Sequence, residues 1–186
     1  MKRTFQKLTV IGLASYCALS WGQAAPELPQ SGSAALKWTA QDKEGNWIKA
    51  CPTQAGGSGP ADQKACRIIQ NLNVKVGEGQ QRLLSLSIYR QGEALYAELV
   101  LPFGLDLQQG IGWKIDEKEA MTAKFSTCLP SGCIAKIALP EPIFKDMQAG
   151  TKLKVYFRAL GAAQPAAADI ELQGLKRLVA AMDGLG

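Results

Sequence analysis

The sequence predicts an all-β protein: an antiparallel β-sandwich or partly open barrel, with a short C-terminal helix and two disulfides. Three observations carry this prediction. Short runs of alternating apolar and polar residues recur along the chain, separated by Gly, Pro, Asn and Asp turn signals. Four cysteines follow an export signal, which places them where disulfides persist. Near the end, Leu175, Leu178, Val179 and Met182 switch to helical spacing.

The first element is the export signal, residues 1–24. Lys2, Arg3 and Lys7 form a charged start, Leu8 to Leu19 an apolar stretch, and Gly22-Gln23-Ala24 a small-x-small exit. Cleavage is expected after Ala24, with Ala25 as the neighbouring alternative. The apolar stretch is short for a transmembrane helix, although an uncleaved N-terminal anchor is the competing reading. Cys17 does not mark a lipoprotein, because Tyr16 stands where a small residue is required, so Cys17 leaves with the signal. Removing the three basic residues of this segment from the 21 in the chain leaves 18 against 16 acidic ones, so the net charge falls from +5 to +2. The basic character therefore gives no reason to expect nucleic acid.

Residues 25–35 are rich in Pro, Gly, Ser and Ala and read as a flexible lead-in. One β domain is expected over residues 36–183, since no repeat period, heptad or second composition zone appears. Leu36, Trp38 and Ala40 share one face of a first strand, Gln41 to Asn46 turns, and Trp47 to Cys51 completes a hairpin. Pro52 to Asp62 is a loose loop, Ala65 to Leu72 a strand, and Asn73 to Gln81 a turn with two glycines. Arg82 to Arg90 is the clearest strand, with Leu84, Leu86 and Ile88 on one face. After Gln91-Gly92-Glu93, Leu95, Ala97, Leu99 and Leu101 point inward, and Pro102 ends the strand. Phe103 to Gly110 is a short passage, followed by Ile111, Trp113 and Ile115 on a common face and a charged turn from Asp116 to Glu119.

Cys128-Leu-Pro-Ser-Gly-Cys133 lies between two alternating runs, Met121 to Thr127 and Ile134 to Leu139. It reads as one hairpin whose turn is stapled by its own disulfide. A short helical turn is expected over Ile143 to Gln148, stopped by Gly150. Lys152 to Arg158 alternates without error, Gly161 to Ala168 is a loop, Asp169 to Leu172 a last short strand, and Gly174 breaks the chain before the final helix.

Cys51, Cys66, Cys128 and Cys133 allow three connectivities. The local pairs Cys51 with Cys66 and Cys128 with Cys133 are favoured, because each closes a short loop. The rival is a zinc site built from all four, but neither pair has the C-x-x-C spacing of the usual hook.

Chemistry is narrowed by what the chain lacks. It contains no histidine, no phosphate-binding loop, no Gly-x-Ser-x-Gly elbow and no C-x-x-C pair. Carboxylate pairs remain, Asp42 with Glu44 and Glu117 with Glu119, but turn positions suit solvated acids better than catalysis. Lys152, Lys154 and Arg158, with Tyr156 between them, make a possible anion-binding face that Lys124 and Lys136 could extend. Trp38, Trp47 and Trp113 could stack on sugars, though inward packing suits them better.

A family resemblance follows from order and spacing. Leu101-Pro102-Phe103-Gly104-Leu105, Gly110-Ile111, Ile115-Asp116 and Phe125-x-x-Cys128-Leu-Pro-Ser-Gly-Cys133-Ile-Ala resemble the invasion-associated locus B family of bacterial exported proteins. Trp47 with Cys51 and Cys66, the strand from Gly150 to Phe157 and the closing Leu172-x-Gly174 also fit, so the resemblance covers residues 36–183. It implies an all-β, disulfide-containing protein of the periplasm or outer envelope, or one that is secreted. It implies no catalytic residues, and only the four cysteines transfer, as structural positions. The expected function is non-enzymatic: a module binding an unknown protein or cell-surface partner, possible in host interaction, with no cofactor and no nucleic acid. The alternative is a carboxylate-dependent glycan-active or hydrolytic enzyme.

Overall fold

A computed structural model describes residues 37–53 and 66–183. The expected signal, the lead-in, Leu36 and most of the Pro52 to Asp62 loop lie outside the described residues. Eleven strands and two helices are described: β1 (Lys37–Glu44), β2 (Trp47–Thr53), β3 (Arg67–Val76), β4 (Gly79–Gln91), β5 (Ala94–Leu101), β6 (Ile111–Ile115), β7 (Met121–Ala123), β8 (Phe125–Leu129), β9 (Gly132–Ala138), α1 (Glu141–Ala149), β10 (Lys152–Phe157), β11 (Ala166–Glu171) and α2 (Leu175–Asp183). They form a seven-stranded sheet ordered β1-β2-β3-β4-β5-β9-β8 and a four-stranded sheet ordered β11-β10-β6-β7. All pairings are antiparallel and neither sheet closes into a barrel. The all-β expectation with a C-terminal helix and two disulfides therefore holds, in an open, two-sheet form with no closed barrel.

Alternation puts one face of each sheet into a common core. Ile68, Leu86, Ile88, Ala97, Leu99 and Ala135 come from the larger sheet, and Ile111, Trp113, Ile115, Leu153, Val155 and Ile170 from the smaller one. Leu175, Leu178 and Val179 of α2 and Phe144 and Met147 of α1 complete it, so each helix buries one stripe. Trp47 is fully buried and its indole N–H donates to the Glu171 carbonyl at 2.9 Å, which ties β2 to the edge of the other sheet.

Four local expectations need correction. The passage from Asn73 to Gln81 is not a long turn. Beyond an irregularity at Leu72/Asn73, β3 and β4 stay paired to Val76 and Gly79, so only two residues turn. Alternation was hidden there because both faces of this ribbon are exposed and no core imposes a pattern. The run from Met121 to Thr127 is two strands. Met121 to Ala123 pairs with β6 in the small sheet, and Phe125 onward pairs with β9 in the large one, so the chain changes sheets at Lys124. The last strand starts at Ala166 rather than Asp169, because Ala166 to Ala168 pair with Val155 to Phe157. Trp38 is not a core residue: it is 41% exposed on β1, the edge strand of the larger sheet.

Candidate functional site

The stapled hairpin is built as its residues dictate. Pro130 and Ser131 form a two-residue turn between β8 and β9. Gly132 follows with φ +133°, and a Cβ there would be driven into the Leu101 carbonyl. Cys128 and Cys133 stand directly opposite each other and are bonded, as are Cys51 and Cys66. The four cysteines are thus spent in two disulfides, which removes the zinc alternative. The pairs differ in setting: Cys51 and Cys66 are both buried, whereas Cys128 is exposed and Cys133 buried.

Around this hairpin lies an apolar corner. Phe103, Leu107, Leu129 and Leu160 are all exposed, Phe103 by 61% and Leu160 by 76%. The Leu160 amide bonds the Gly104 carbonyl at 2.8 Å, which joins the backbone of the Leu160 segment to that of the Phe103-Gly104 segment. Phe103 lines a groove of about 420 Å³ with Arg82, Leu83, Ser131 and Gly132, and the Arg82 guanidinium donates to the Ser131 carbonyl at 2.6 Å. On the other side, Leu107 and Gln108 face Lys124 to Cys128 across a second groove of about 340 Å³. Large apolar side chains grouped at a solvent-facing site are the usual mark of an interaction surface. Sequence reasoning passed over them because Phe103, Leu107 and Leu160 lie between strands, where no periodicity flags them, and Leu129 ends β8 at the hairpin turn. The signal present was an apolar residue before a glycine, Phe103-Gly104 and Leu160-Gly161.

The outer face of the large sheet carries a cation–aromatic ladder. Arg67 lies over Tyr89 at 4.2 Å and Trp38 at 5.4 Å, and pairs with Glu98 at 3.0 Å. Lys136 lies over Tyr96 at 4.0 Å and donates to Gln91 at 2.7 Å. Tyr89 and Tyr96 stack at 6.0 Å, as directly opposed residues of β4 and β5. These side chains hold one another and stiffen the sheet. A third groove, about 670 Å³, lies between α1 and the β4–β5 turn, over buried Leu95, Leu139 and Phe144 with Glu93, Glu141 and Lys145 at its rim.

The predicted site residues are placed as follows. Lys152 and Lys154 lie on the outer face of β10, and Arg158 follows directly after the strand ends at Phe157. β11 runs beside them, setting Asp169 within 3.8 Å of Lys154 and 3.9 Å of Lys152, and Glu171 within 3.8 Å of Lys152. The face thus carries both signs of charge, which weakens its pull on an anion. Lys136 is on β9 of the other sheet and does not extend it. Asp42 and Glu44 are brought together, but by Arg177 of α2, at 3.4 Å and 2.6 Å. Two carboxylates sharing one guanidinium form a clamp between helix and strand, an arrangement that does not favour catalysis. Glu117 pairs with Lys114 at 3.2 Å at a fully solvated turn.

Asp116 had been read only as part of a charged turn, and it has a structural role. It sits at φ +47°, and its carboxylate accepts the amides of Thr151 at 3.0 Å and Lys152 at 2.8 Å. Those two bonds, more than nearby Lys118, hold its pKa below the ordinary aspartate range. Glu141 in the first turn of α1 is also lowered, by its bond to Lys145. Among the described residues no group of three or more Cys, Asp or Glu side chains is placed to hold a metal, and no helix is long and apolar enough to cross a membrane.

Fold and surface define the class first: a disulfide-clamped, two-sheet antiparallel protein with an exposed apolar corner. Residues 47–185 match the profile of the invasion associated locus B (IalB) protein family. An invasion protein B homolog of Brucella abortus (strain 2308) is 35% identical over 167 residues, covering 88% of this chain and 89% of the relative. Invasion protein B of Bartonella bacilliformis is 27% identical over 142 residues, covering 72% of each chain. The crystal structure of invasion associated protein b from Bartonella henselae superposes with a TM-score of 0.64 at 20% identity, over 77% of this chain and 96% of that one, and shows the same fold. The chain belongs to the invasion-associated locus B family.

Proposed function

We propose that this chain is an exported, non-enzymatic module of the periplasm or outer envelope, or a secreted one, that binds a protein or surface partner through its apolar corner. The observation that carries this is the exposure of Phe103 and Leu160 on two connecting segments whose backbones are bonded to each other. Leu160 is tethered by its amide to Gly104, and a disulfide anchors the adjacent hairpin, so binding orders little that is not already ordered. Two disulfides and the export signal support an oxidising compartment. Relatives bearing the name invasion protein B extend the reading to contact with a host cell.

The test is site-specific photocrosslinking in the native bacterium, with the crosslinker at position 103 or 160 and, as a control, at Lys145 on the far helix. A discrete adduct from 103 and 160 that is absent from 145 is expected, with the adduct from 160 lost on Phe103→Ser. Equal labelling from all three positions overturns the reading. Fractionation of the same cells checks export: a full-length chain retained in the cytoplasm is the adverse result.

A further inference from the structure

We propose that the free edge of β8 pairs with β8 of a second copy of this chain, joining two seven-stranded sheets across a two-fold axis. Four strands end the two sheets, and three of them are blocked. β1 carries Asp42, Lys43 and Glu44, two of them held by Arg177 of α2. β11 carries Asp169 and Glu171 in ion pairs. β7 is three residues long. Charge and brevity are the usual protections of a sheet edge. β8 reads Phe-Ser-Thr-Cys-Leu, has no charge and no proline, and is exposed over its last four residues.

Its backbone is available. Cys128 and Cys133 are opposed with their Cα atoms 3.9 Å apart. That is the close kind of antiparallel pair, near 4.5 Å rather than about 5.5 Å, in which the two residues exchange no hydrogen bonds. The N–H and C=O of Cys128 therefore point away from β9. Among the described residues no turn or loop amide or carbonyl bonds the backbone of β8.

The occupant is a second copy because the edge complements itself. A two-fold axis through Cys128 lets each Cys128 N–H donate to the other copy's Cys128 C=O. It sets Thr127 against Leu129 of the mate, and Leu129 against Thr127, with no like charges opposed. The bulge at Ser126 turns the start of the strand aside, so pairing is confined to Thr127 to Leu129. One contact then uses up both free edges, and the assembly closes as a dimer rather than growing. The disulfide holds β8 in place beforehand, so little order is lost on pairing. Pairing over three residues a side makes a weak contact, below the size of a standard interface, so dimerisation is sought at high concentration, up to about 500 µM.

The experiment is sedimentation velocity on the purified oxidised chain up to that concentration. No other protein is present, so a negative result leaves the corner's partner untouched. The parent is expected to shift from monomer to dimer. Thr127→Lys with Leu129→Lys, and Thr127→Glu with Leu129→Glu, should each stay monomeric, and an equimolar mixture of the two should regain the dimer. If a double variant loses its β circular dichroism, Thr127→Lys is mixed with Leu129→Glu, which the two-fold sets directly opposite each other, and the mixture should dimerise more than either variant alone. A parent monomeric throughout overturns the proposal and leaves the edge to a strand from another chain. Lysine variants that dimerise like the parent, or a mixture that stays monomeric, overturn it equally.

Discussion

The two disulfides should differ in what they contribute and in how readily they are lost. Cys51–Cys66 spans 15 residues and Cys128–Cys133 only 5. Loop-closure entropy makes the first worth about 3 kcal/mol and the second about 2 kcal/mol. Replacing each pair by alanine, with a urea slope of about 2 kcal/mol per M, should lower the unfolding midpoint by roughly 1.5 M and 1 M respectively. Accessibility runs the other way. Cys51 and Cys66 are 1% and 0% exposed, so a reductant reaches them only after the strands open. Cys128 is exposed, and a thiolate can attack its sulfur and release Cys133 with the fold intact. Mild reduction followed by alkylation and mass mapping should therefore label Cys128 and Cys133 first, while the stability loss is the smaller of the two. Labelling of Cys51 and Cys66 first, or a greater midpoint loss from the hairpin pair, would refute the reasoning.

Three further predictions follow from the geometry. Trp47→Phe leaves the Glu171 carbonyl unmet, for about 1 kcal/mol or more, and removes part of a packed ring, for about 1–2 kcal/mol; urea unfolding should show a loss of about 2–3 kcal/mol, and a loss under half of that would deny the tie between sheets. Gly132→Ala combines a positive φ with a Cβ forced against the Leu101 carbonyl and should cost about 2 kcal/mol or more, while Gly92→Ala, with a positive φ but open space around it, should cost nearer 1 kcal/mol; equal costs would show that the close approach is relieved by movement. Asp116 has its pKa depressed by the Thr151 and Lys152 amides, so its stabilisation is complete above the unfolded aspartate value of about 4 and is lost as pH falls through the lowered folded value. Asp116→Asn should then be less stable than the parent at neutral pH, with the gap closing in strong acid; a gap of the same size at both would contradict the assignment.

Much of this protein was legible in its residues taken alone. Strands with one buried face announce themselves, because burial forces the period of two: Leu84, Leu86 and Ile88, or Leu153, Val155 and Phe157, are inward by arithmetic before any fold is known. The turn chemistry of Pro130-Ser131-Gly132, the helix at Leu175 to Met182 and the four cysteines are equally local. Their order and spacing were also enough to point to the family that the comparisons then established.

Tertiary structure decided everything that depends on which strand lies beside which. Met121 to Thr127 reads as one alternating run, yet the chain passes from one sheet to the other within it, since alternation reports a buried face and not whose core buries it. Lys152 and Lys154 read as a basic face, but β11 returns alongside with Asp169 and Glu171 to oppose them. Asp42 and Glu44 read as an isolated acid pair until α2, more than 130 positions away, supplies Arg177. The apolar corner is assembled from two connecting segments and a hairpin tip, and β8 is an edge because, among the described residues, no other strand is added there. Period and composition are properties of neighbours along the chain; charge neutralisation, shared surfaces and free edges belong to neighbours in space, and only the folded arrangement of the sheets specifies those.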